Sequence, residues 1–222
     1  MIFSPLAVAA AVCAVLSISG ALAGVLLLAG PFKVATTMLI IAHAWRRSQG
    51  GRLDRAVIVG LVLSLAGDAF LIFQWGFLPG LVSFLLAHLA YLTAFTGGLR
   101  NWRPLSPAFA YAVIVSPILI MLWPVIPEPL RGPVVAYVVA IALMAAMAAA
   151  RWLRLKGTAR EDEKLALSAA VGAALFVISD AVLATHKFAG PVALAPLLNL
   201  SAYWLAQWLI ASSLPMREDK KR

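Results

Sequence analysis

Residues 56–75, AVIVGLVLSLAGDAFLIFQW, and residues 165–185, LALSAAVGAALFVISDAVLAT, decide how this chain is read. Each is long enough, at about 20 residues, to cross about 30 Å of hydrocarbon as an α-helix. Their apolar residues run continuously rather than alternating, which favours helices over the strands of a barrel. Yet each holds one carboxylate, Asp68 and Asp180, in near-copies of one phrase. The first is Gly67-Asp68-Ala69-Phe70-Leu71 and the second is Ser179-Asp180-Ala181-Val182-Leu183. A carboxylate at the centre of a bilayer costs about 2.5–3.5 kcal/mol on insertion scales, so it is rarely kept without a task.

Working outward, the composition repeats the pattern. The chain is 63% hydrophobic and 12% charged over 222 residues. Eight apolar spans are read, over 5–29, 31–45, 56–75, 78–98, 106–124, 133–151, 165–185 and 192–214. The expected fold is all-α, a polytopic integral membrane protein forming a single transmembrane domain over 1–222. The other acidic residues (Asp54, Glu128, Glu161, Asp162, Glu163, Glu218 and Asp219) fall between or beyond these spans. Proline and glycine punctuate them at Gly30-Pro31, Gly97-Gly98, Pro104, 127–133 and Gly190-Pro191.

The net charge of +9 would suggest nucleic acid in a soluble protein. Here it reads as a topology signal, and no nucleic-acid partner is expected. Arg46, Arg47, Arg52 and Arg55 share one membrane face with Arg100 and Arg103. Arg151, Arg154, Lys156, Arg160 and Lys164 join them, as do Arg217, Lys220, Lys221 and Arg222. Only Lys33, Arg131 and Lys187 remain for the other face. This alternation predicts eight helices with both termini cytoplasmic. Trp45, Trp75, Trp102, Trp123 and Trp152 lie near span ends, as an interfacial aromatic belt requires. The first span lacks a basic n-region and is too long for a typical signal peptide, so it is read as a retained helix. Nothing resembles an organelle signal, and a bacterial inner membrane is the expected location.

The two aspartate phrases lie 112 positions apart in the third and seventh spans. A 4+4 parallel repeat would give both helices the same direction, and repeat interfaces near mid-membrane are common ligand sites. Other polar residues fall at matching depth. Lys33 opens the second span, and 31–45 reads as a short helix of about 22 Å. Pro31 at its first position would leave free backbone N–H groups for an anion. Tyr137 opens the sixth span. The fourth carries Phe84, His88, Tyr91 and Phe95 at helical spacing, and the eighth carries Asn199, Tyr203 and Gln207 one turn apart. Helix-to-helix hydrogen bonding explains the eighth-span stripe as well as substrate contact does. Three scattered histidines and the single Cys13 make no zinc set, so no metal is expected.

At these residues the chain resembles the YhhN-like lysoplasmalogenase family. The resemblance runs through Lys33 with Thr36-Thr37, Gly60-Leu61, Gly67-Asp68 with Leu71, and Gly80. It continues through Ser83-Phe84, His88 with Tyr91, Tyr137, Phe176 with Ser179-Asp180, and Tyr203 with Gln207. In one departure, Val34 follows Lys33 where the family often has proline, and the proline here precedes it at Pro31. The resemblance implies hydrolysis of the vinyl ether bond of a lysoplasmalogen, a lysophospholipid, with no organic cofactor. The products would be a fatty aldehyde and a glycerophospho-alcohol.

Two buried carboxyls suit that chemistry. Vinyl ether hydrolysis begins with protonation of an alkene carbon, and burial favours the protonated, proton-donating form of a carboxyl. Asp68 and Asp180 are therefore the candidate acid and its partner base or cation stabiliser. Lys33, His88, Tyr91, Tyr137, Ser179, Asn199, Tyr203 and Gln207 are the candidate supporting and substrate-binding residues. Two other readings use the same residues. A proton-coupled transporter would use the aspartates as relays, and a structural protein would pair them with Lys33 inside the bundle.

Overall fold

The computed structural model describes residues 4–97 and 105–216. The expectations resting on Gly98, Arg100, Trp102, Arg103, Pro104 and the basic tail from Arg217 lie outside the described residues. Within them the chain is all-helical, with eight α-helices in order. These are α1 (Pro5–Leu22), α2 (Leu26–Arg47), α3 (Arg52–Phe70) and α4 (Phe77–Phe95), then α5 (Leu105–Leu122), α6 (Glu128–Leu155), α7 (Arg160–Phe188) and α8 (Ala195–Ser212). Short 3-10 turns at Gln74–Gly76 and Trp123–Val125 precede α4 and follow α5.

Six of the helices are long and apolar enough to cross a membrane, with α3 and α8 the exceptions. The reason is visible in their residues. Helix α3 includes Arg52, Asp54, Arg55 and Asp68, and α8 carries Asn199, Tyr203 and Gln207. Both helices bring polar groups inward. Asp68, Ser64, Tyr203 and Gln207 are all buried in the bundle, where protein partners replace water. The chain is a polytopic integral membrane protein.

The second helix differs from its reading as a short 31–45 segment. The break falls earlier, where Gly24 adopts φ +71°, a left-handed conformation that ends α1 and that glycine takes without strain. Helix α2 then runs for 22 residues, about 33 Å. Pro31 lies inside it rather than at its start, close enough to the N-terminus to cost few backbone bonds. Lys33 is thus in the third turn. It is not at a helix start, and no free N–H groups surround it. Tyr137 is likewise inside α6, which begins at Glu128. Helix α7 extends beyond its expected span through good helix formers at its start, and α6 extends to Glu128 with Pro129 in its first turn, where proline is tolerated. Glu161, Asp162 and Glu163 occupy the first turn of α7, where the helix dipole favours acids.

Helix α2 packs on α3 and α8, and α6 packs on α7 and α4. Helices α3 and α4 form one close pair and α7 and α8 another, while α1 lies on α2 and α5 on α6. Glycines set the closeness. A Cβ on Gly60 would lie 2.3 Å from the Tyr91 ring, and one on Gly67 2.6 Å from Phe84. A Cβ on Gly172 would lie 2.8 Å from the Ala206 carbonyl. Small residues let helix backbones approach where lipid gives no hydrophobic drive to associate.

The Arg-rich end is tied shut. The Asp54 carboxylate accepts from the backbone N–H of Gln49 and Gly51, and Arg47 donates to the Leu214 carbonyl. His43 stacks on Trp208, with its Nε2 3.1 Å from Ser212 Oγ. This histidine packs α2 on α8.

Candidate functional site

Asp68 sits in the last turn of α3 and is fully buried. One oxygen, Oδ2, accepts hydrogen bonds from Thr37 Oγ1 at 2.6 Å and Tyr203 OH at 2.8 Å. The other, Oδ1, lies 3.3 Å from Lys33 Nζ. Lys33 and Thr37 are one helical turn apart, so α2 presents both on one face. The carboxylate is held by α2 on one side and α8 on the other. The Lys33 side chain keeps 17% of its surface open.

Asp180 lies on α7 in a second, separate network. Its Oδ2 accepts a hydrogen bond from Tyr137 OH on α6. His88 Nε2 on α4 is 3.0 Å from the same phenol oxygen and 3.6 Å from Asp180 Oδ2. The imidazole is fully buried, and its Nδ1 has no partner. A phenol between a carboxyl and an imidazole can pass one proton either way. Ionised Asp180 accepts from Tyr137, which accepts from His88. Protonated Asp180 donates to Tyr137, which donates to His88.

Aromatic rings separate the networks. Phe176 meets the His88 ring edge-on at 4.7 Å between centroids and the Tyr203 ring at 5.4 Å. Phe84 packs on both Phe176 and Tyr203. Asp68 and Asp180 share no hydrogen-bonding partner among the described residues. Deeper in the bundle, Tyr91 OH donates to Gln207 Oε1 at 2.7 Å, leaving Gln207 Nε2 and nearby Ser64 Oγ unpaired. Asn199 Nδ2 donates to the Ser179 carbonyl at 2.9 Å and to its hydroxyl at 3.2 Å, which ties α8 to α7 beside Asp180.

Two cavities flank these networks. An apolar one of about 100 Å³ lies among α4, α5, α6 and α7. Tyr137 and Asp180 line it, and Asp180 is the one carboxylate among its lining residues. The other, about 530 Å³, lies among α1, α2, the 3-10 turn before α4, and the α7–α8 junction, with Lys33 and Asn199 in its lining. Leu71, Phe77 and Leu183 border both. No group of three His, Cys, Asp or Glu comes together among the described residues to hold a metal ion.

A model of the YhhN family matches residues 28–214. The chain belongs to the YhhN family. The match takes in every residue of both networks, from Lys33 to Tyr203, and begins after α1. The chain is similar to lysoplasmalogenase TMEM86B of Homo sapiens, with 33% identity over 184 residues, 82% of this chain and 73% of that protein. It is 37% identical to lysoplasmalogenase TMEM86A of Bos taurus over 161 residues, 71% and 64% of the two chains. A lysoplasmalogenase of Mycobacterium tuberculosis is 31% identical over 175 residues, 75% and 62% of the two chains. The chain thus spans less than two thirds of the length of the last two relatives. No solved structure matches it.

In this YhhN-family chain the residues expected from sequence fall into four groups. Lys33 and Tyr203 meet at Asp68, and Tyr137 and His88 meet at Asp180. Tyr91 pairs with Gln207, and Asn199 with Ser179. Sequence reasoning assigned no role to Thr37, Phe176 or Phe84. Thr37 could have been found, since it lies one turn from Lys33 on the same face. The two phenylalanines carry no polar signal, and their role as a partition arises only when α4, α7 and α8 meet.

Proposed function

We propose that this protein is a lysoplasmalogenase-type membrane hydrolase that cleaves the vinyl ether bond of a lysoplasmalogen. Its products are a fatty aldehyde and a glycerophospho-alcohol, glycerophosphoethanolamine or glycerophosphocholine. The names of the relatives support the substrate class. One observation of the site carries the chemistry: Asp180, backed by Tyr137 and His88, borders an apolar cavity.

The steps follow from that placement. The alkenyl chain enters the apolar cavity with its double bond at Asp180. The protonated carboxyl gives its proton to the alkene carbon remote from the ether oxygen, and an oxocarbenium ion forms on the carbon next to that oxygen. Water attacks this carbon, and its released proton returns to the Asp180 carboxylate. The hemiacetal then collapses to aldehyde and alcohol. Tyr137 and His88 hold the carboxyl in place and share its proton, the arrangement a general acid needs. Glycosidases divide such work between carboxyls against a similar cation, and this is analogy. Asp68 is the electrostatic partner. It ion-pairs with Lys33, a residue that also lines the larger cavity, and so fixes that ammonium in place.

The same reading places all eight helices across a bacterial inner membrane, with both termini cytoplasmic and the halves related as a 4+4 parallel repeat in one domain. Three matches at a spacing of 112 support the repeat: Gly60 with Gly172, Asp68 with Asp180 and Tyr91 with Tyr203. Packing supports it too. Asp68 is held from α2 and α8, and Asp180 from α6 and α4, which are the equivalent helices.

The test is aldehyde release from lysoplasmalogen by the purified protein in detergent, beside Asp180→Asn of equal monodispersity. Aldehyde from the parent and none from the variant is the expected result. Equal rates from the two would end the mechanism.

A further inference from the structure

The larger cavity sits on the membrane face where cations are scarce. Of the three Lys/Arg that charge patterning leaves there, Lys33 and Lys187 both line this cavity. The third, Arg131, is occupied elsewhere, with its guanidinium 5.2 Å from the Trp123 ring centroid and 3.7 Å from Glu128. No carboxylate is among the lining residues. Lys33 carries three N–H donors, and Asp68 can take one. His186 also lines the cavity. Its Nδ1 accepts the Val192 N–H at 3.1 Å, which leaves Nε2 as the donor of the neutral ring. Lys187 Nζ lies 4.9 Å from the centroid of Phe77, a ring that borders both cavities.

We infer that this cavity seats the phosphate diester of the lysophospholipid headgroup, with Lys33 as its deep cation and Lys187 as its outer one. The inference rests on the hydrolase reading above and names how that site selects its substrate. In a lysoplasmalogen, three carbons and one oxygen separate the vinyl ether oxygen from phosphorus. An amphiphile of that shape fits two cavities that meet at Leu71, Phe77 and Leu183. Its chain lies on the apolar side beside Asp180, and its charge lies on the cationic side. Phosphate is bound well by ammonium donors, and charge-assisted hydrogen bonds are the strong ones.

The test compares the full-length parent with Lys187→Gln and Lys187→Glu in detergent. The substrates are an alkenyl-glycerophosphocholine and the corresponding alkenylglycerol, which lacks phosphate. Lys187 is exposed, so both variants fold. Lys187→Gln raises KM for the phospholipid about fivefold with kcat unchanged, and Lys187→Glu raises it further. The alkenylglycerol parameters do not move. An unchanged KM, or an equal shift for both substrates, overturns the headgroup site. So does inorganic phosphate that competes as strongly as glycerophosphocholine, which would make the cavity a free-phosphate site. A parent that releases no aldehyde overturns the hydrolase reading alone. Thermal stabilisation by glycerophosphocholine, present in the parent and lost in Lys187→Gln, still reports the headgroup site in that case.

Discussion

The surroundings of Asp68 and Asp180 differ in what each carboxylate is free to do. Both sit in near-copies of one phrase, on α3 and α7, and both receive a tyrosine hydroxyl. Asp68 is fully buried, with a lysine, a threonine and a tyrosine around it. Its charge is paired with Lys33, Oδ2 takes two hydrogen bonds, and Oδ1 is buried with no partner beyond the lysine, so the carboxylate is walled off from a substrate. Asp180 keeps 16% of its side chain open, faces an apolar cavity and has only neutral or titratable partners. An ammonium stabilises a carboxylate as an anion, whereas a phenol and an imidazole allow it to be either acid or base. Two near-copies of one phrase thus differ through the neighbours each meets while the aspartate itself stays the same.

That contrast breaks most sharply at the carboxylates. Asp180→Asn removes the proposed proton donor and is expected to lower kcat by about 10³-fold, with the folded protein recovered in normal yield. Equal loss from Asp68→Asn, with unchanged thermal stability, would mean that both carboxylates do chemistry. The expected result for Asp68→Asn is different. It leaves the Lys33 ammonium without its anion, and loss of one partner of a buried pair costs about 3–5 kcal/mol, less here because Lys33 reaches a cavity. Its main readout is a lower melting temperature in detergent, partly restored by adding Lys33→Gln.

Smaller effects sharpen the same comparison. Tyr137→Phe and His88→Gln leave Asp180 in place but remove the route along which its proton is shared. Each lowers kcat by about 10- to 100-fold and alters the pH profile of kcat. A change in KM alone would assign these residues to substrate packing. Tyr203→Phe, the counterpart at Asp68, removes one of several hydrogen bonds. It costs about 1–2 kcal/mol of stability with little effect on kcat. Gly172→Ala drives a Cβ towards the Ala206 carbonyl, and over-packing of this kind costs about 1–3 kcal/mol. A variant as stable as the parent would show that α7 and α8 can separate without penalty.

Much of the site was legible because a polar group in hydrocarbon is conspicuous. Asp68, Asp180, Lys33, His88 and Tyr137 stand out against their apolar neighbours, and each proves to belong to one of the two networks. The start of α2 departs from the sequence expectation because Gly30-Pro31 has the form of an initiation signal, while the break falls at Gly24 within an apolar run. Phe84 and Phe176 were legible only as apolar positions.

The sequence by itself determined the all-helical membrane architecture, the inward-facing aspartates and the Arg-rich end. These follow from local properties: the length of apolar runs, the cost of a charge in lipid and the side of each cation. The tertiary structure alone decided which partner each aspartate received, that the aspartates are separated by aromatic rings, and that Lys33 and Lys187 face one cavity. Those outcomes depend on contacts between residues far apart in the chain, and the helix-packing geometry that brings them together is not written in any single helix.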